Sequence, residues 1–449
     1  MSGVAVLLLT AIAALVPGQT ASGQVDPASG DPVAALAEAR AAVEEAPSEF
    51  EPALTLARAL ATLGRTSDAL EVFSRARELA PAGASGDAVA SAYLAPALLL
   101  RDLDRTGDAI RLLEKGTDRR LGSADIYEQL ALLRLADGLV DGAIAAVDAA
   151  VAENLASPGL DLARGLALAR HAHRRGEALG YLRRALDGGV GDPVVVRLEA
   201  AGILSADGRY AEAIEHLRAA EELTPDEPEV FYRLGRILAA AGDREAARAA
   251  LERHRSLQVA LERAAEIEQA ASADLAAGLS EAQGLAAAGD LEAALQRLLG
   301  LDGSLEELRA ADVHSLRGKV LFSMGRVDEA AASIAEARRL EPNRVEHHYL
   351  EGMFLHTGGR AEEAAPALER AVALEPGLGE AQALLGMIAA EAGRTAEAAE
   401  RMERALQRGL DGNAALRFNY ARVLEALGRS DEAAVQMEAF ERLRAEGPP

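Results

Sequence analysis

A small residue at one nearly constant spacing constrains this chain more than any other feature. Alanines, which we call the ladder alanines, recur at intervals of 34 to 36 residues, with two longer intervals of 40 and 47. They are Ala35, Ala69, Ala109, Ala143, Ala178, Ala213, Ala247, Ala294, Ala330, Ala364, Ala398 and Ala433. A fixed period of this length indicates one supersecondary unit repeated along the chain. The sequence therefore predicts a stacked array that has no single central core.

Each repeat is predicted to contain two helices separated by a glycine. In the repeat that starts at Pro228, the residues Val230, Leu234 and Leu238 keep the spacing of one helix face. Glycine readily adopts the left-handed conformation that ends a helix. A glycine stands five residues before most of the ladder alanines: Gly64, Gly138, Gly208, Gly242, Gly289, Gly325, Gly359, Gly393 and Gly428.

A second set of glycines lies inside the first helices, 12 residues before a ladder alanine. These are Gly235, Gly318, Gly352 and Gly386. A glycine in a helix interior costs about 1 kcal/mol of helix propensity. Its recurrence at one position is explained if the second helix of the pair lies against it and leaves no room for a larger side chain.

These residues resemble the tetratricopeptide repeat family, whose pattern has large residues, Leu-Gly, Gly, Ala and Pro at set offsets. The resemblance covers about residues 31–446 and implies an all-α fold, a right-handed α-solenoid of antiparallel helix pairs with about 11 repeats and an N-terminal half repeat. The repeats around Ala109 and Ala178 depart from the pattern because they lack a good Leu-Gly. Two repeats that follow it carry Phe231, Leu234, Gly235, Leu238, Gly242, Ala247 and Leu251, and Leu350, Gly352, Leu355, Gly359, Ala364, Leu368, Ala371 and Pro376.

The longer intervals divide the predicted array. We expect a signal peptide at 1–23, a linker at 24–32, an N-terminal array at 33–257, a linking helix at 258–275 and a C-terminal array at 276–446. The interval of 40 places a loop at 82–87. Between Gly242 and Gly278 there is neither glycine nor proline, so an elongated helix is predicted there. Whether its extra residues form an exposed strut or pack against the array stays open.

The N-terminus predicts export. An apolar run from Val4 to Val16 precedes Pro17-Gly18 and small residues, as in a secretory signal, although no Lys or Arg precedes the run. The run is too short to span a bilayer comfortably. We expect a periplasmic or secreted protein. The alternative is a protein anchored in the membrane by an uncleaved N-terminal segment.

Composition excludes several kinds of partner and site. A net charge of −24 argues against nucleic acid or anionic lipid as a partner. With no cysteine in the chain, neither disulfides nor thiolate metal sites can form. The sequence contains no nucleophile–base constellation, phosphate loop or dinucleotide fingerprint. We therefore expect no enzyme activity and no cofactor.

The histidines are the only metal-ligand candidates worth weighing. His347, His348 and His356 lie within one predicted helix pair, and His171 and His173 flank Ala172. Two ligands separated by four residues lie on one helix face, and none of these pairs has that spacing. Packing is therefore the favoured interpretation, and we expect no metal site.

The resemblance places the binding surface on a concave groove lined by first-helix side chains. Lysine is rare in the chain. At the first-helix positions that line the groove in the family, Lys319 falls beside Phe322, Tyr349 and Met353. That combination suggests a ligand with an apolar side chain next to a carboxylate. The groove residues that we infer are Lys319, Phe322, Tyr349, Met353, His356, Met387, Phe418, Arg422, Tyr232 and Arg236. An ordinary solvated surface is the competing interpretation.

The predicted function is a non-enzymatic scaffold that binds proteins or peptides in the bacterial cell envelope. One alternative is a structural periplasmic component of an export or polysaccharide-secretion complex. Another is an accessory module to an enzyme encoded elsewhere. The identity of the partner and the oligomeric state stay open.

Overall fold

The computed structural model of the protein describes residues 31–81, 86–171, 173–301 and 307–446. Within these ranges the chain forms helices and no β-strand. The predicted signal peptide and most of its linker, and residues 82–85 of the predicted loop, lie outside the described residues. The helices are α1 Pro32–Glu45, α2 Phe50–Thr62, α3 Thr66–Leu79, α4 Asp87–Asp102, α5 Thr106–Asp118, α6 Ala124–Ala136, α7 Val140–Ala152, α8 Pro158–Arg170, α9 Ala178–Asp187, α10 Pro193–Ala206, α11 Tyr210–Leu223, α12 Pro228–Ala241, α13 Arg244–Ala287, α14 Leu291–Leu299, α15 Glu307–Ser323, α16 Val327–Leu340, α17 Val345–Thr357, α18 Ala361–Leu374, α19 Gly379–Glu391, α20 Thr395–Ala405, α21 Ala414–Ala426 and α22 Ser430–Glu446.

The chain divides into two compact units, Met1–Ala265 and Glu266–Pro449. Within each unit, consecutive helices pair and each pair packs on the next, which confirms the predicted α-solenoid. We call the helices of a pair its first and second helix. In the second unit, α15, α17, α19 and α21 are first helices, and α16, α18, α20 and α22 are their second helices.

The turn inside a pair follows from the predicted glycines. Gly325 has φ +78°, and its N–H donates to the Phe322 carbonyl while the N–H of Arg326 donates to the Leu321 carbonyl, both at 2.9 Å. This is the Schellman arrangement, which satisfies the last carbonyls of α15. All nine predicted turn glycines have positive φ. In the repeat of Ala109 the same place is taken by Asp104, with φ +61°, because aspartate also tolerates this conformation.

An arginine follows the turn and pairs with a carboxylate three residues later. Arg326 donates to both carboxylate oxygens of Glu329, at 2.6 and 2.7 Å, and this pairing lowers the pKa of Glu329. The carboxylate lies in the first turn of the second helix, where the helix dipole favours negative charge. The same pairing joins Arg65 to Asp68, Arg105 to Asp108, Arg209 to Glu212, Arg360 to Glu363, Arg394 to Glu397 and Arg429 to Glu432.

The interior glycines lie directly against the second helix, as predicted. A Cβ placed on Gly352 would fall 2.5 Å from Leu368 Cγ and 3.1 Å from the Ala364 carbonyl oxygen. Gly235, Gly318 and Gly386 meet their own second helices at 2.7 to 2.8 Å. The ladder alanines from Ala69 to Ala433 are all buried, with at most 4% of their surface exposed. Ala35 is only half-buried, and no first helix precedes α1 within the described residues.

Helix α13 is one continuous helix of 44 residues. Its beginning is the second helix of a pair with α12, where Ala247 is buried. Near its end, Gly278 lies against Arg297 of α14 and against Leu301 just after that helix. Every residue from 258 to 270 is exposed, and the choice between a strut and a packed helix stays a prediction. The two units divide within this helix, and the boundaries proposed at 257 and 276 stay predictions.

No helix in the described ranges is both long enough and apolar enough to cross a membrane.

Candidate protein-binding groove

Eight of the predicted groove residues fall on the four first helices α15, α17, α19 and α21, and each of them is half-buried or exposed. Contacts link three of these helices to the next one. Lys319 Nζ lies 2.5 Å from Glu346 Oε1, and His356 Nε2 lies 3.3 Å from Glu391 Oε1. Further along, the Asn419 amide donates to Met387 Sδ at 3.8 Å. These contacts place the side chains on one surface of the second unit, which we call the first-helix face.

Lys319 is already paired on this surface. Its ammonium donates to Glu346 Oε1, and Arg344 approaches the other oxygen of that carboxylate at 3.5 Å. The hydrogen bond from Lys319 is the main reason why the pKa of Glu346 is lowered. A ligand carboxylate that sought Lys319 would have to compete with Glu346, so the structure does not offer Lys319 as a free cation.

The apolar side chains among the predicted groove residues are only partly exposed to a ligand. The ring of Phe322 stacks on the ring of buried Phe354, with centroids 4.4 Å apart and planes 16° from parallel. Tyr349 and Met353 pack with part of their surface against the hydrophobic core. Burial, together with nearby Glu380, raises the pKa of the Tyr349 hydroxyl. These side chains form a shallow apolar floor for the first-helix face.

The second unit also contains a pocket between α19, α20 and α21, with a volume of about 400 Å³. Two predicted groove residues, Met387 and Arg422, line it. Sequence reasoning missed Met402 and Glu391, which also line the pocket. Met402 comes from a second helix, whereas the family resemblance assigns only first-helix side chains to the groove.

Phe418, on α21, does not line this pocket and contacts α22 instead. Its ring centroid is 5.2 Å from that of Phe440 on α22, and 37% of Phe418 is exposed. Val435 on α22 is 61% exposed. The structure thus assigns Phe418 to an apolar surface shared with α22, whereas the pocket is lined by Met387 and Arg422.

The two predicted residues of the first unit contact each other. Arg236 lies one turn after Tyr232 on α12, and its guanidinium carbon is 5.7 Å from the centre of the Tyr232 ring. The Tyr232 ring also contacts the ring of His254 on α13, with centroids 5.3 Å apart. This cluster belongs to the first unit and is separate in sequence from the first-helix face.

His347 and His348 are both buried in the helix packing. His348 is buried, and its Nε2 lies 2.8 Å from the carbonyl oxygen of Pro342. His347 is fully buried. Among the residues with described positions, no group of three or more histidine, aspartate or glutamate side chains is arranged to hold a metal ion.

Two sequence models described as tetratricopeptide repeat match the chain, one at residues 94–160, 315–378 and 383–448 and the other at 28–92 and 204–259. A search of curated proteins found no match.

Among solved structures, MamA from Desulfovibrio magneticus RS-1 is 19% identical over 39% of this chain and 97% of its own, with a TM-score of 0.36. Another MamA crystal structure is 19% identical over 38% of this chain and 92% of its own, with a TM-score of 0.35. The repeat pattern, the stacked helix pairs and the sequence matches agree, and the chain belongs to the tetratricopeptide repeat family.

Proposed function

We propose that this chain is a non-enzymatic scaffold that binds a protein or a peptide on the first-helix face of its second unit. Members of its family generally act as protein-interaction scaffolds. The observation that carries the proposal is the line of half-exposed side chains on four consecutive first helices. Aromatic, methionine and arginine side chains are enriched at protein interfaces, and this surface has all three.

A photocrosslinking experiment tests the surface. A photoreactive amino acid is introduced at Met353, and in a matched variant at Glu400, which is exposed on second helix α20. The full chain is irradiated in an extract of the cells that produce it, and adducts are identified by mass spectrometry. We expect a discrete adduct from position 353 that Tyr349→Ala weakens. Adducts from position 400 alone would place the binding surface elsewhere.

We also propose that the scaffold acts in the bacterial cell envelope, as a periplasmic or secreted protein. The apolar run of residues 4–16 followed by small residues supports export. Fractionation of the producing cells, followed by N-terminal sequencing of the purified chain, tests this. A mature N-terminus close to residue 24 in the periplasmic or secreted fraction is expected. Full-length chain in the membrane fraction would favour the uncleaved anchor instead.

A further inference from the structure

The pocket between α19, α20 and α21 combines an apolar wall with a polar rim. Half-buried Met387 and Ala390 supply the accessible apolar surface, with buried Met402 and Val423 behind them. Its volume of about 400 Å³ lies within the range of pockets that bind ligands. Methionine side chains are unbranched and polarizable, so this wall can adapt to apolar groups of different shape.

Arg422, on the rim of this pocket, differs from the arginines around it. Arg401 pairs with Glu369 at 2.8 Å, and Arg429 pairs with Glu432 at 2.5 Å. Within the part of the chain that the structure describes, the exposed Arg422 guanidinium makes no hydrogen bond or ion pair. A guanidinium has five N–H donors in a planar fork that matches a carboxylate. The rim therefore presents an unused carboxylate-binding group.

The other polar groups of the rim do not satisfy Arg422. Glu391 is engaged by His356 of the preceding first helix, at 3.3 Å. The Asn419 amide donates to the sulfur of Met387, at 3.8 Å. A thioether is a weak acceptor, so a peptide carbonyl can replace it.

We infer that this pocket binds a linear peptide through one apolar side chain placed next to a carboxylate. The apolar side chain packs on Met387 and Ala390, above the buried Met402, the carboxylate pairs with Arg422, and the Asn419 amide donates to the peptide backbone. The chain carries a net charge of −24, so an acidic peptide is attracted only where a cation is left unpaired. This makes Arg422 the specificity determinant. The inference rests on the proposed function and names the ligand class for the same surface.

The test is selection of a random 12-residue peptide library against the full chain. Wild-type protein is expected to enrich peptides with Leu, Met or Phe within two residues of Asp or Glu. Arg422→Gln should lose the preference for acidic residues and keep the preference for apolar residues. Arg422→Glu should replace the acidic preference with a preference for basic residues. For an enriched peptide, Arg422→Glu should weaken binding by about 10- to 100-fold, the size of a charge-assisted hydrogen bond.

Two further variants control for folding and charge. Arg442→Glu makes the same charge change at an exposed position of α22 and should leave selection unchanged. Ala426 is exposed and lines the pocket, so Ala426→Phe places a ring at the pocket mouth and should remove the apolar preference. Each variant should keep the wild-type thermal melt.

The possible failures are distinguishable. Enriched peptides without an acidic residue, or an unchanged acidic preference in Arg422→Glu, would overturn the inference. If Tyr349→Ala still weakened the binding of those peptides, the proposed binding surface would stand. Peptides insensitive to Tyr349→Ala and to every pocket variant, or recovery of no peptide, would contradict both proposals.

Discussion

The carboxyl group of Glu128, on α6, lies directly against Gly159 in the first turn of α8. A Cβ built on Gly159 would fall 1.6 Å from Glu128 Oε2, so a larger residue at position 159 would displace this carboxyl group. Burial, with a smaller contribution from Asp125, raises the pKa of Glu128 to about 7. The contact therefore couples the packing of two adjacent repeats to pH.

We expect Glu128→Gln to change how stability depends on pH. The ordinary pKa of 4.5 is lower than the folded value of about 7, so between these values the folded chain holds a proton that the unfolded chain has lost. The stability from this group is complete below pH 4.5 and is lost as pH rises through 7. Relative to wild type, Glu128→Gln should therefore be more stable at pH 8, by roughly 1–3 kcal/mol, and similar at pH 4.5. Urea unfolding measures this, with Glu262→Gln on the exposed part of α13 as control.

Two interior glycines should respond to the same substitution in opposite directions. Gly352→Ala forces a Cβ to within 2.5 Å of Leu368 and should destabilise the second unit by about 1–3 kcal/mol. Gly202, inside α10, has no neighbouring atom within 4 Å of an added Cβ, so Gly202→Ala should stabilise by up to about 1 kcal/mol. Thermal melts of both variants give the comparison. Equal shifts would contradict the packing argument.

Ala364→Leu tests the opposite side of the same contact. Ala364 has no exposed surface, and its carbonyl lies against Gly352. A leucine side chain there should overpack the helix pair and cost about 1–3 kcal/mol. Ala35→Leu is the matched control, because Ala35 is only half-buried, and its melting temperature should change less. A melt of Ala364→Leu that matched wild type would contradict this prediction.

His347 should make the second unit sensitive to mild acid. The side chain is fully buried, and neither ring nitrogen has a hydrogen-bond partner among the described groups. Burial and nearby Arg344 lower its pKa below 6.5, whereas Glu341, Glu346 and Asp312 oppose this shift. The unfolded chain takes up a proton near pH 6.5 that the folded chain resists, so stability falls as pH drops below that value.

The variant His347→Leu separates this effect from the other titrating groups. It should reduce the loss of stability between pH 7.5 and 5.5, by at most about 1.4 kcal/mol for each pH unit. Urea midpoints at the two pH values measure the difference, with the same change at exposed His173 as control. A loss of the same size in His347→Leu and wild type would rule out His347 as its source.

The exposed part of α13 should tolerate a helix break without loss of either unit. Gln269→Pro removes a helix hydrogen bond and clashes with the preceding turn, but residues 258–270 have no buried contacts to lose. We expect a glutamate-specific protease to cut faster after Glu262 and Glu266, while the thermal unfolding of the fragments stays close to that of the intact chain. Gln269→Ala should show neither change. Unfolding of a unit on cleavage would show that the helix is needed for its stability.

The features that were predicted correctly from the sequence depend on contacts within one repeat. The conformation of Gly325 and the burial of Ala330 depend on residues a few positions away, and both were found as expected. The contact between Gly352 and Leu368 was also predicted, because a costly residue recurred at one helix position. Features that depend on residues of the same repeat can therefore be predicted from a single sequence.

The side-chain pairing on the first-helix face could not be predicted in the same way. Lys319 is paired with Glu346, 27 residues away, and this depends on how neighbouring helices are offset. The register of the repeat predicts which positions belong to the first-helix face but not which charges there pair with each other. For the same reason Arg422 was included among the candidates without being recognised as unpaired. The exposure of residues 258–270 likewise needed tertiary contacts to decide.

The arginine that pairs with a carboxylate three residues later, as Arg326 does with Glu329, has a consequence for how the chain forms during synthesis. Each such pair, and the glycine turn before it, is completed by about six consecutive residues, so a second helix can begin soon after its own residues leave the ribosome. Contacts between neighbouring repeats are also short in sequence, which favours rapid folding. We therefore expect the array to grow repeat by repeat from its N-terminal end, each new helix pair docking on one already formed.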